Sequence, residues 1–178
     1  MQALGNLLGY QTVWLIAVIW AARGNPWPGV AAGILFVSWQ LLSSNSPRAD
    51  GRLVVVALGA GCLIDGVLAS GGWVHYSAAA PAFPPHAAPL WILALWGSFS
   101  MTLNHSLVYV RDRPWLAIIF GAVGAPLAYF GAQQGWQTIV FQSPAWRGLV
   151  WLSCTWASGM LLFSVLASRW ITPSPRVA

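Results

Sequence analysis

The sequence predicts an all-α integral membrane protein, a bundle of six transmembrane helices with both termini in the cytoplasm. Three observations carry that reading. Of 178 residues, 58% are hydrophobic and only 6% charged, whereas about a quarter of a soluble domain is charged. Six apolar stretches approach the length of about 20 residues needed to cross a hydrocarbon core of ~30 Å. The eight arginines, which are all the Lys and Arg in the chain, fall between those stretches and unequally on the two sides.

The first stretch, 4–22, has no Lys or Arg before Val13. It therefore lacks the basic start of a signal peptide and reads as an uncleaved span. "RGNPWPG" (23–29) turns the chain into the second and shortest stretch, 27–44, and "SSNSPRADGR" (43–52) into the third, 51–71. The longest connection, "GWVHYSAAAPAFPPHAAP" (72–89), contains four prolines. They rule out a continuous helix, and its aromatics place it on the membrane surface. The fourth stretch, 89–110, is joined by "RDRP" (111–114) to the fifth, 114–134, where Pro126 predicts a kink. The sixth is 147–169. All of it, 1–178, reads as a single transmembrane domain.

Orientation follows from the arginines. Arg48, Arg52, Arg111, Arg113, Arg169 and Arg176 share one side, and only Arg23 and Arg147 lie on the other. Basic residues are retained on the cytoplasmic side, which puts that end, and with it both termini, in the cytoplasm. Trp20, Trp27, Trp73, Trp91, Trp136 and Trp146 then fall near the outer interface, and Trp115 and Trp170 near the inner one. The scattered arginines do not form a face for nucleic acid, so none is expected as a partner.

Two groups of polar residues stand inside the apolar stretches. Asp65, in "GAGCLIDGVLASGG", lies roughly 20 Å beyond the start of its helix near Gly51, in the outer half of the membrane. Ala57, Gly61 and Ala69 share its face, so that face points at another helix and not at lipid. A carboxylate there is a functional candidate by default, or else a structural lock hydrogen-bonded to a neighbouring helix. At its depth the fourth stretch offers Trp96 to Ser98, the fifth Tyr129, and the sixth Ser153 or Thr155.

The second group is "SFSMTLNHSLVY" (98–109). At helical spacing Ser98, Thr102, His105 and Tyr109 line one stripe, with Asn104 round the side. His105 falls in the inner leaflet, more than ~10 Å below Asp65. Two separate polar layers are therefore expected, not one proton-relay pair. Cys62 and Cys154 read as small packing residues. His75 and His86 lie in a loop without a metal-ligand pattern, so neither metal nor cofactor is expected. The small residues Gly121, Gly124, Ala125, Ala128, Gly131 and Ala132 make a close-packing face on the fifth stretch. It suits a helix of this chain, a protein partner or a second copy.

"NPWPG", "DGVLASGG", and "PLWILALWGSFSMTLNHSLVYV" followed by "RPWLAIIFGAVGAPLAYFGA" together span most of the chain. They resemble an uncharacterised family of small bacterial multi-pass inner-membrane proteins, a domain of unknown function. Members are often encoded near enzymes that modify fatty acids, so the resemblance implies a role linked to membrane lipids. The family pattern has Asp-Ser where this chain has Asp65-Gly66, which removes any hydroxyl beside the carboxylate.

Three functional classes fit these residues. The chain could be a non-enzymatic accessory or scaffold subunit of lipid or envelope machinery. It could be a small transporter or channel for a lipid-like or small solute, with Asp65 as a protonatable site. It could be an intramembrane lipid enzyme using Asp65 or His105. The enzyme is the weakest, because such enzymes gather several ionisable residues around a metal or phosphate. The accessory subunit comes first.

Overall fold

The computed structural model describes residues 2–171; Arg176, counted above with the cytoplasmic arginines, lies outside them. The elements in order are α1 (Gln2–Ala22), α2 (Trp27–Ser43), α3 (Pro47–Ser70), β1 (Val74–Tyr76), β2 (Ala82–Phe83), β3 (Ala88–Pro89), α4 (Leu90–Leu103), α5 (Val108–Arg111), α6 (Pro114–Trp136), β4 (Ile139–Phe141) and α7 (Trp146–Trp170). Proline lies in the first two positions of α2, α3 and α6. Its fixed φ suits a helix start, and its missing N–H would have found no partner there.

Four helices, α1, α3, α6 and α7, are long and apolar enough to cross a membrane. The α2 and α4 helices are apolar but shorter, at 17 and 14 residues. Leu35, Leu42, Val55, Leu63 and Leu127 are exposed on the outside of the bundle. So broad an apolar surface would aggregate in water and belongs in hydrocarbon. This is a membrane protein.

The fourth predicted stretch is not one helix. The α4 helix stops at Leu103, and the backbone N–H groups of His105, Ser106 and Leu107 all converge on the Thr102 carbonyl. Side chains beyond the break take tertiary partners that continued helix would have denied them. Asn104 and His105 reach Asp50, and the Ser106 hydroxyl donates to Asn6 Oδ1 at 2.7 Å. The expected stripe of Ser98, Thr102, His105 and Tyr109 is broken with the helix. By contrast α6 runs unbroken through Pro126.

Close packing holds the bundle together at glycines. A Cβ on Gly61 of α3 would stand 2.5 Å from the Trp96 ring of α4. One on Gly121 of α6 would stand 2.3 Å from the Trp156 carbonyl of α7. Both distances are far inside van der Waals contact, so these helix pairs meet only because the side chain is a hydrogen. Gly121, Ala125 and Ala132 of the small-residue face are buried within this chain, while Ala128 and Gly131 remain exposed.

At the end opposite Asp50, the connection after α3 is not a surface loop throughout. The β1 strand pairs antiparallel with β4, Val74 opposite Phe141 and Tyr76 opposite Ile139. Flanking bonds from Ser77 N to the Thr138 carbonyl (2.8 Å) and from Gln142 N to the Trp73 carbonyl (2.9 Å) extend the clasp. It ties the segment after α3 to the segment before α7. The β2 and β3 strands form a separate short antiparallel pair.

Candidate functional site

Asp65 is fully buried on the face of α3 that meets α4. Its carboxylate accepts hydrogen bonds from three elements. The Tyr76 hydroxyl of β1 donates to Oδ1 at 2.8 Å, and the Trp96 Nε1 of α4 donates to Oδ2 at 2.6 Å. The Tyr129 hydroxyl of α6 also donates to Oδ1. A lone buried carboxylate costs several kcal/mol, and three donors satisfying both oxygens offset that cost. Burial and the neighbouring carboxylate push the Tyr76 hydroxyl well above the usual tyrosine range, which keeps it a donor.

The second polar layer also centres on an aspartate of α3. Asp50, 1% exposed, accepts from Ser44 Oγ at 2.5 Å and Asn104 Nδ2 at 2.7 Å, and His105 Nε2 lies 3.1 Å from its Oδ2. Arg111 Nη1 donates to Asn104 Oδ1 at 3.0 Å, and the Ser164 hydroxyl of α7 donates to the Arg111 carbonyl. Fifteen residues of helix separate the two aspartates, about 22 Å along α3. Asp65 and His105 are in different layers, as their depths predicted.

The residues singled out by sequence thus divide. Asp65 and Tyr129 meet in one layer, and Asn104 and His105 in the other. Ser98 and Thr102 donate to their own helix, to the Ala94 and Phe99 carbonyls, both at 2.7 Å. Tyr109 is 64% exposed, with the Arg113 guanidinium 3.7 Å from its ring centre. Thr155 likewise bonds its own helix, at the Trp151 carbonyl.

Two principal partners lay outside the residues chosen from sequence. Asp50 falls in the predicted connection 43–52, yet "SPRAD" is a helix start, with proline at the first position and an acid in the first turn. Tyr76 falls in the connection expected on the membrane surface, yet it is buried. The alternation Val74, His75, Tyr76, buried, exposed, buried in the structure, is the period-two signal of a strand.

Beside the Asp65 layer, α1, α4, α6 and α7 enclose a cavity of about 410 Å³. Its walls are aromatic and aliphatic: Tyr10, Trp14, Trp96, Phe99, Tyr129 and Trp156 supply most of the rings. Trp96 and Tyr129 therefore face two ways, with polar atoms on Asp65 and rings on the cavity. The cavity opens beside α1 and α6, where its lining residues Gln11, Phe120, Leu127 and Ala128 are exposed. No Asp, His, Arg or Cys lines it. Among the described residues, no three His, Cys, Asp or Glu side chains come together as metal ligands.

Residues 3–162 match the model of a family described as "Protein of unknown function (DUF2878)". No curated protein and no solved structure matches the chain.

Proposed function

The chain belongs to the DUF2878 family of proteins of unknown function, and we propose that it is a non-enzymatic accessory or scaffold subunit of membrane-lipid or envelope machinery. The observation that carries this reading is the engagement of Asp65. Both oxygens are occupied by donors from β1, α4 and α6, which is how a carboxylate locks elements together. A proton-coupling carboxylate needs an oxygen free to exchange its proton with a water-filled path. A catalytic one needs access to substrate. Asp65 has neither opening, since the rings of Trp96 and Tyr129 stand between it and the cavity.

In this reading the protein crosses a bacterial inner membrane six times, with α2 and α4 as the short spans and the break after α4 lodged at the cytoplasmic end. Arginine placement supports the orientation. Arg48, Arg52, Arg111, Arg113 and Arg169 belong to the end that holds Asp50, where Arg52 lies 5.9 Å from the Trp170 ring. Arg23 and Arg147 belong to the other end. That asymmetry is the one that retains loops in the cytoplasm.

The experiment is lipid mass spectrometry of cells carrying the native protein, Asp65→Asn or His105→Ala, paired with crosslinking of each in intact membranes. An unchanged set of lipid species and a stoichiometric membrane-protein partner are expected. Lipid species that change when either residue is replaced in a folded protein would establish chemistry at that residue and overturn the reading.

A further inference from the structure

In the groove between the start of α3 and the end of α7, we infer a binding site for an anionic phospholipid. Its phosphate diester is held between Arg48 and Arg52, and one acyl chain lies along Val55 and Val56. The groove has a volume of about 480 Å³ and is lined by Arg48, Gly51, Arg52, Val55, Val56 and Trp170. The site needs only a bilayer around the bundle and so is independent of the accessory-subunit reading.

The first observation is a pair of cations placed where the helix alone disfavours them. Arg48 and Arg52 are four residues apart, about 6 Å along α3 and on one face. Like charges at that spacing repel each other. Both also stand in the first two turns of α3, where the helix dipole opposes a cation. The three acids of the chain are all engaged elsewhere. Asp50, between the two arginines in sequence, is turned inward to Ser44, Asn104 and His105. Asp65 holds Tyr76, Trp96 and Tyr129, and Asp112 pairs with Arg111 at 2.7 Å. An anion from outside the chain supplies the missing counter-charge, and two guanidinium groups one turn apart suit the oxygens of a single phosphate.

The second observation is the change from charged to apolar along the groove. Arg48 and Arg52 are exposed. Val55 is 69% exposed and lies three residues beyond Arg52, about 4.5 Å deeper along the helix. Val56 and Trp170 pack against the core, and the Arg52 guanidinium carbon is 5.9 Å from the Trp170 ring centre. Between the arginines the floor is open, because a Cβ on Gly51 would meet nothing within 4 Å. Arginine and tryptophan at headgroup level with aliphatic side chains below match the profile of a phospholipid at the interface. A soluble phosphate would engage the arginines and leave the valines unused.

The same charges select the headgroup. Among the described residues no carboxylate lines the groove, so the ammonium of a zwitterionic phospholipid would face two arginines and gain no partner. A headgroup whose only charge is its phosphate meets no such repulsion.

The test is native mass spectrometry of the full chain in neutral detergent micelles, titrated with dioleoylphosphatidylglycerol or dioleoylphosphatidylcholine. Native protein is expected to saturate with a single phosphatidylglycerol and to prefer it by about tenfold or more. Arg48→Gln and Arg52→Gln should each weaken that binding about fivefold, and the double variant roughly thirtyfold. Arg169→Gln removes a charge from the same end outside the groove and should leave the affinity unchanged. Gly51→Leu keeps both arginines but fills the open floor, and should abolish the preference while thermal melting shows the fold intact. Equal retention of the two lipids would overturn the inference. So would a loss in Arg169→Gln equal to that in Arg52→Gln, which would reduce the arginines to diffuse surface charge. Native binding by a folded Gly51→Leu protein would contradict a lipid seated in the groove. Competition by glycerophosphoglycerol, the headgroup without its chains, at equal concentration would assign the arginines to a soluble phosphate diester instead.

Discussion

Trp96 donates its indole N–H to Asp65 Oδ2 across 2.6 Å, and the same ring fills the space where a side chain on Gly61, one turn before Asp65, would have to stand. One residue of α4 therefore reads two positions of α3: it needs the acid for its polar edge and the glycine for its face. Tyr76 and Tyr129 complete the arrangement from β1 and α6. Asp65 thus joins the β1–β4 clasp to the helix bundle.

Because Tyr76, Trp96 and Tyr129 share one carboxylate, their contributions should not add. Tyr76→Phe and Trp96→Phe are each expected to lower the unfolding free energy by about 1.5–3 kcal/mol, as for hydrogen bonds to a charged group. The double variant should depart from the sum of the singles by at least ~0.5 kcal/mol. Denaturation in mixed micelles measures all four corners of the cycle, and simple additivity would show that the donors do not act through a common partner.

Glycine positions should rank by what a Cβ would strike. Gly121→Ala drives a methyl group into the Trp156 backbone, which cannot move aside as a flexible side chain can. A loss of about 3 kcal/mol or more is expected, the upper range for overpacking. Gly131→Ala, with nothing within 4 Å, should be neutral or gain up to about 1 kcal/mol from helix propensity. The same unfolding assay checks both, and equal effects would contradict the close α6–α7 contact.

In the layer centred on Asp50 the acid matters more than the histidine. Asp50→Ala leaves Ser44, Asn104 and His105 without their shared acceptor, and should cost about 2–3 kcal/mol. His105, with its side chain 22% exposed, can turn to water when its partner is lost. Its replacement by Ala should cost about 1 kcal/mol or less. Thermal melts of the two variants compare them directly, and a larger loss for His105→Ala would contradict the hierarchy.

Much of the architecture was legible because hydrocarbon imposes simple rules. Long apolar runs gave the helices, Pro47 and Pro114 stand near the starts of two of them, and depth along α3 and α4 separated Asp65 from His105. The same depth reckoning placed Trp96 and Tyr129 level with Asp65. What escaped was short and tertiary. Four polar positions of the fourth apolar stretch fit a helical stripe, but periodicity cannot register that Asp50 captures Asn104 and His105 and that α4 ends before them. Tyr76 sits in a loop rich in proline, and only pairing with Ile139, more than sixty residues away, makes its strand. The cavity left no trace in sequence, because its walls come from four helices and use the same rings that pack a core.

Unfolding of Asp65→Ala in mixed micelles tests the central claim most directly. A lock predicts a loss of about 3 kcal/mol or more, since Tyr76, Trp96 and Tyr129 would all be left with buried, unanswered donors. A variant as stable as the native protein, or more stable, would contradict the claim and mark Asp65 as a residue held at a cost to folding for the sake of function.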